Sequence, residues 1–154
     1  MASGKSAGRR LATNKRARHD YEILEKMEAG IALLGSEVKS AREGRVQLKD
    51  SYVEIRNGEA FLIGASISPY SHGNRQNHDP ERPRKLLLNR REIERVFGRT
   101  TIQGQTCIPI SMYLKGHRIK LEIALAKGRK LYDKRQVTRA KELDKEAREA
   151  LGRE

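Results

Sequence analysis

The 154-residue chain carries 33 lysines and arginines against 20 aspartates and glutamates, a formal net charge of +13 and an isoelectric point of about 10.2, which points to a polyanionic partner. With 36% hydrophobic and 34% charged residues it can bury one core but cannot also order every segment. No window approaches the roughly 20 apolar residues of a membrane helix and no apolar leader follows the first basic residue, so the chain reads as a soluble, cytoplasmic protein with no membrane partner.

Residues 1–19 hold Lys5, Arg9, Arg10, Lys15, Arg16 and Arg18 among small residues and read as a basic flexible arm. From Tyr21 to Leu34 an imperfect alternation predicts one long, bent strand, with Ala29-Gly30 suited to a bulge or a close backbone approach. Gly35-Ser36-Glu37 supplies an N-cap and a first-turn acid for a short helix with Val38 and Ala41 inward and Gly44 as its stop. Val53 and Ile55 alternate with Glu54 and Arg56, Asn57-Gly58 suits a type I′ hairpin turn, and Phe61, Ile63, Ala65 and Ile67 are expected on one face.

Pro69 ends that run, and residues 68–83 form a polar surface loop. Leu86-Leu87-Leu88 leads into Asn89, which caps a second helix with Glu92 three residues on and Ile93, Val96 and Phe97 as its apolar stripe. Thr106, Ile108, Ile110 and Met112 alternate as a strand in which Pro109 demands an edge or a bulge, and Lys115-Gly116 turns it. The returning strand points Ile119, Leu121, Ile123 and Leu125 inward and presents Arg118 and Lys120 to solvent.

These elements predict a mainly β protein: a small closed OB-type Greek-key barrel over 20–130 with one or two short helices, although a sandwich accommodates the same strands. Residues 131–154 form a charged tail in which Val137, Ala140, Leu143 or Asp144, Ala147 and Leu151 recur at helical spacing, expected to be disordered alone and to fold on a partner.

Two clusters suit RNA. In Asn14-Lys15-Arg16-Ala17-Arg18-His19-Asp20-Tyr21, cations adjoin planar rings that stack on exposed bases. Lys127, Arg129 and Lys130 ring a glycine and Tyr132 where the barrel ends. Arg82, Arg84 and Lys85 are candidates for a third phosphate-contact patch, and Glu28 is a lone acid read either as solvent-facing or as a hydrogen-bond acceptor.

Catalysis finds no support: His72, His78, Asp79 and His117 lack metal-ligand spacing, and no phosphate-binding loop, dinucleotide fingerprint or nucleophile elbow is present. No metal, cofactor or catalytic residue is expected. The lone Cys107 excludes an internal disulfide and the usual multi-cysteine zinc site, and reads as a buried structural residue.

The first of these clusters, with Glu28-Ala29-Gly30, Gly35-Ser36-Glu37-Val38-Lys39-Ser40, Asp79-Pro80, Arg84-Lys85-Leu86-Leu87-Leu88-Asn89 and the Lys127–Arg135 run, closely resembles the bacterial SsrA-binding (SmpB) family, partners of transfer-messenger RNA, over about Asn14 to Arg135. The resemblance implies an OB-type barrel that binds the tRNA-like domain of that RNA, in the place of the missing anticodon arm, and delivers it to stalled ribosomes.

It places Asn14, Lys15, Arg16, His19, Glu28, Leu87 and Lys120 on RNA-binding positions, beside which Arg18, Lys85, Lys127 and Arg129 are the further cations expected to contribute. It also implies that the tail enters the empty messenger channel and turns helical, with Lys130, Tyr132, Asp133, Lys134 and Arg135 near the decoding centre. Tyr132 stands where some relatives carry histidine, and Glu142, Asp144, Glu146 and Glu149 confine attraction for ribosomal RNA to one face of that helix. The chain is expected to act as a monomer; a general single-strand-binding OB protein is the competing class.

Overall fold

The computed structural model describes residues 8–70 and 77–128. In chain order the elements are β1 (Arg10–Thr13), α1 (Ala17–Asp20), β2 (Tyr21–Ile31), α2 (Gly35–Arg42), β3 (Val46–Gln47), β4 (Tyr52–Arg56), β5 (Glu59–Ile63), β6 (Ser66–Ile67), β7 (Arg84–Leu87), α3 (Arg90–Phe97), a wide helical turn at Gly98–Ile102, β8 (Thr106–Lys115) and β9 (Arg118–Gly128). The fold is mainly β, as the alternating patterns predict.

Seven strands form one antiparallel sheet in the order β1-β8-β9-β2-β7-β5-β4, while β3 and β6 pair separately. The expected closed barrel is not formed by backbone pairing: among the described residues no ladder joins the outer strands β1 and β4. The sheet instead curls until β4 packs against β8, an architecture compatible with an OB-like fold. Leu62, Leu86, Met112, Leu121, Ile123 and Leu125 fill the enclosed core at 1% exposure or less, each fully buried side chain of this size contributing about 1.5–3 kcal/mol.

Within the expected flexible arm of 1–19, Arg10–Thr13 and Ala17–Asp20 form regular elements, while residues 1–7 lie outside the described residues. Arg10–Thr13 pairs with β8, and Leu11 enters the core. One apolar residue among cations carries little local strand signal, so this strand is specified by its partner. Pro109 does mark a bulge, with the register shifting between Pro109 and Ser111, but β8 is flanked on both sides and is no edge.

Two smaller expectations also change. Phe61 and Ile63 do not share the inward face with Ala65 and Ile67: in β5 the buried residues are Ala60 and Leu62, and the parity switches at Gly64, whose φ of +85° breaks the strand. Ser36 does not cap α2, which starts at Gly35; the Leu34 N–H donates instead to Glu37 Oε1 at 2.7 Å. By contrast Asn57 and Gly58 both take positive φ, as a type I′ turn requires, and Asn89 caps α3 reciprocally with Glu92. In the α3 stripe Val96 is buried but Phe97 stays exposed.

Candidate nucleic-acid interface

Strand β9 divides its side chains between two faces. Leu121, Ile123 and Leu125 point into the core, so Lys120, Glu122, Ala124 and Ala126 line the outer face. The ladder registers extend that face across the sheet: Leu87 lies opposite Gly30, Gly30 opposite Lys120, Lys120 opposite Tyr113, and Tyr113 opposite Arg10. Residues directly opposite in a ladder share a face. Leu87 and Lys120, 33 positions apart, therefore flank one glycine, and a Cβ on Gly30 would come within 3.1 Å of the Leu87 Cβ. What closes on Gly30 is the Leu87 side chain rather than a backbone segment, and the bulge of β2 falls between Ile23 and Glu25 rather than at Ala29-Gly30.

The other end of this face is covered by α1. Ala17, 2% exposed, packs against Ile108 and Ala126, with Tyr21, Ile23 and Ile110 around them. Asn14 fastens the approach to α1 at the β8 bulge: its backbone N–H donates to the Ile110 carbonyl at 2.8 Å and Nδ2 to the Pro109 carbonyl at 2.9 Å. Lys15, Arg16, Arg18 and His19 are thereby held exposed. Arg16 and His19 both face the Asp20 carboxylate, at 3.5 and 2.8 Å, while Lys15 and Arg18 have no ion-pair partner among the described residues. From Ala126 to Lys120 the outer face runs roughly 20 Å, six strand steps. Lys127 is exposed beside α1, since Gly128 pairs with Tyr21.

Near the Lys120 end, Glu28 is neither free nor isolated. The Tyr113 hydroxyl donates to its Oε2, and Lys115 Nζ lies 3.2 Å from Oε1 and 3.3 Å from Oε2. The Tyr113 bond is the largest influence on the Glu28 carboxyl, and with Lys115 and the nearby Lys120 charge it outweighs partial burial and holds the group below the ordinary carboxylate range. Burial, then the facing carboxylate, push the Tyr113 phenol up. An acid on a basic face is compatible with a polyanion here because lysines offset its charge.

The expected Arg82, Arg84 and Lys85 phosphate patch does not form. Arg84 is 0% exposed and binds Glu37, also 0% exposed, with Nε 2.8 Å from Oε2; its remaining donors reach the Ala65 and Pro80 carbonyls at 2.9 Å. Arg82 closes on the other side of Glu37 at 2.6 Å. Both guanidiniums are structural, a role hidden in the sequence because their partner lies more than 40 residues away. Lys85 alone faces outward, on the same side of β7 as Leu87, and pairs with Glu59.

His78 is structural too, bridging Ser36 Oγ and the Ile67 carbonyl at 2.8 Å each. No group of three His, Cys, Asp or Glu residues among those described is arranged to hold a metal. Cys107 is buried, and burial pushes its thiol up to about 12. No helix among the described residues is long and apolar enough to cross a membrane.

Thus α1 with Lys15, Arg16, Arg18 and His19 and the distant Glu28, Leu87 and Lys120 occupy one outer face. Sequence reading missed Tyr113 and Lys115 as neighbours of Glu28; the alternation in β8 and the Lys115-Gly116 turn carry that signal once the hairpin is paired in register. Arg129, Lys130, Tyr132, Asp133, Lys134 and Arg135 lie outside the described residues.

A family model described as "SmpB protein" matches residues 11–153. The chain belongs to the SmpB family. It is 54% identical over 141 residues to an SsrA-binding protein of Carboxydothermus hydrogenoformans, covering 92% of this chain and 95% of that one. Another from Syntrophobacter fumaroxidans is 55% identical over 138 residues, covering 90% and 86%. A solved SmpB structure, described as "tmRNA-SmpB: a journey to the center of the bacterial ribosome", superposes with a TM-score of 0.68 at 42% identity, covering 83% of this chain and 94% of that one.

Proposed function

We propose that this SmpB chain is a non-enzymatic, cytoplasmic RNA adaptor that binds the tRNA-like domain of transfer-messenger RNA and delivers it to stalled ribosomes for tagging of incomplete proteins. The observation that carries this reading is the continuous outer face, roughly 20 Å long, with exposed cations fixed on α1 at one end and Lys120 beside the exposed Leu87 at the other. A rigid surface with separated contact points suits a folded RNA, whose backbone it engages at a set spacing, better than a flexible single strand. The names of the relatives and the tmRNA-bearing neighbour support the same partner.

Residues 131–154 act separately, entering the messenger channel, with Lys130, Tyr132, Asp133, Lys134 and Arg135 near the decoding centre and Lys127 and Arg129 at the base of the tail. Charge-rich tails of this kind order on their partner and contribute there.

The test is competition between a tRNA-like RNA fold and single-stranded RNA of equal length. Preference for the folded RNA is expected; equal affinity would favour a general single-strand binder. Replacing Lys15, Arg16 and His19 together should weaken binding and reduce the salt dependence by roughly 0.7 to 0.9 in log–log slope per lost phosphate contact. An unchanged slope excludes these three side chains from the contact.

A further inference from the structure

Helix α3 buries Val96 in the enclosed core, which sets it on the side of the sheet away from Lys120 and Glu122. Its free side faces the tip of the β4–β5 hairpin across a groove of about 390 Å³ lined by Ile55, Asn57, Gly58, Ile93, Glu94 and Phe97. Phe97 is 45% exposed, and Ile102, in the turn that follows α3, is 76% exposed. We propose that this groove is the resting seat of the chain's own residues 137–151, which pack an apolar stripe on Ile93 and Phe97 and turn their acids toward Arg90 and Arg91. The seat uses none of the residues on the RNA-facing side of the sheet, and it adds to the tail's proposed ribosomal role a place to lie while no ribosome is present.

The tether is long enough. Glu25, which meets Arg95 at 2.6 Å and Arg99 at 3.4 Å, lies opposite Leu125, so β9 passes beside α3 just before it ends at Gly128. From Gly128 to the far side of α3 is roughly 20 Å, a few strand steps and one helix diameter. The eight residues 129–136 span up to ~26 Å when extended, which brings Val137 to the groove. A segment tethered at this range meets its site at an effective concentration on the order of millimolar, an advantage no separate partner has.

The tail carries the groove's complement. Val137, Ala140, Leu143, Ala147 and Leu151 fall on one side of a helix, and Glu142, Glu146 and Glu149 recur along one flank of that side. On α3, Arg90 and Arg91 stand one turn before Ile93 and Glu94, and Arg91 has no ion pair among the described residues. Glu94, the acid in the lining, faces Arg90 at 3.6 Å, which leaves the rim net positive. Acids on a segment bound for an RNA-lined channel are repelled there; against α3 they find cations. Exposed pairs of this kind orient more than they bind, so Phe97 and the tail's leucines carry the affinity.

The test uses the full chain with Lys145→Cys, on the opposite side of the helix from the stripe, labelled with a nitroxide. Cys107 is buried with its thiol pushed up to about 12, so the label goes to the added cysteine. The amide NMR signals of Gly58, Ile93 and Phe97 should lose most of their intensity, while that of Gly116, at the far end of the β8–β9 hairpin, keeps its own. The loss should persist on dilution. It should disappear in Leu143→Ser with Leu151→Ser, which alters no residue of the sheet, and in Phe97→Ser. Arg90→Glu with Arg91→Glu should weaken it, and adding Glu142→Lys and Glu146→Lys to that chain should restore it.

Groove amides at full intensity overturn the seat. So does equal attenuation when the nitroxide and the observed amides are on different chains, which gives the groove to a second copy. Attenuation that charge reversal leaves unaltered overturns the place given to the acids. Phe97→Ser should leave binding of the tRNA-like RNA unchanged, so failure of the seat leaves the adaptor reading standing, and that reading fails separately in the competition with single-stranded RNA.

Discussion

The Tyr113 hydroxyl donates to the Glu28 carboxylate across two strands of the outer face, although the residues are 85 positions apart. Between β2 and β8 lies β9, which brings Lys120 to the same neighbourhood, so the acid is ringed by Tyr113, Lys115 and Lys120, with Glu122 opposite it in the ladder.

Removing that hydroxyl tests what holds the acid. Tyr113→Phe keeps the ring and deletes the donor that most lowers Glu28. A carboxyl held below its ordinary value adds stability that is present above the unfolded pKa and lost as pH falls through the folded one. The variant should lose about 1 kcal/mol at neutral pH, a low figure for a charge-assisted bond because Glu28 is partly exposed. Its Glu28 titration, followed by carboxyl NMR, should move up toward the ordinary range. An unmoved titration would mean that the lysines alone set it.

A larger effect is expected at Glu37. Burial by itself pushes this carboxyl up, but the Arg82 bond, the Leu34 N–H and Arg84 outweigh it and hold it down. Glu37→Gln leaves two guanidiniums without a counter-charge, one fully buried, and should cost about 3–5 kcal/mol in denaturant melts. In the wild-type protein the stabilisation should be intact at neutral pH and fade only below the ordinary carboxylate range. A variant that melts within 1 kcal/mol of wild type would show that the knot is dispensable.

Ala17 sets the place of four exposed candidates. Ala17→Asp puts a charge against Ile108 and Ala126, where it has no partner, and should detach α1 while the rest of the sheet remains folded. Trypsin cleavage after Lys15, Arg16 and Arg18 should accelerate severalfold, and RNA affinity should fall. Unchanged cleavage would show that α1 tolerates the charge in place.

Truncation after Tyr132 separates the proposed roles. Binding to the tRNA-like RNA should change less than twofold, while tagging on stalled ribosomes should be lost, as measured by appearance of the tag on a nascent chain. Tagging at wild-type level would reject a role for the tail.

The hairpins were legible because their signals are local: the Asn57-Gly58 turn, the Pro109 bulge, and the strict alternation from Ile119 to Leu125 each report a geometry the neighbouring residues alone determine. What escaped was set at a distance. Arg10–Thr13 is a strand because it pairs with β8; Arg84 is buried because Glu37 meets it; Phe61 faces out because Gly64 shifts the parity three residues later. The candidate site shows the same division. Its cations could be named from composition, but that α1 and Lys120 share one face follows from registers that only the folded sheet defines.

The pairing of Tyr21 with Gly128 also has a mechanical meaning. In the antiparallel β2–β9 ladder these residues lie at one end, so α1, which leads into Tyr21, and the end of β9 sit side by side. A pull applied between α1 and Gly128 would therefore act across the strands, opening hydrogen-bonded pairs one after another from Tyr21 inward. The opposite arrangement would load all of them at once. The ladder is thus a zipper under pull, and the first rungs to yield are those beside Lys127.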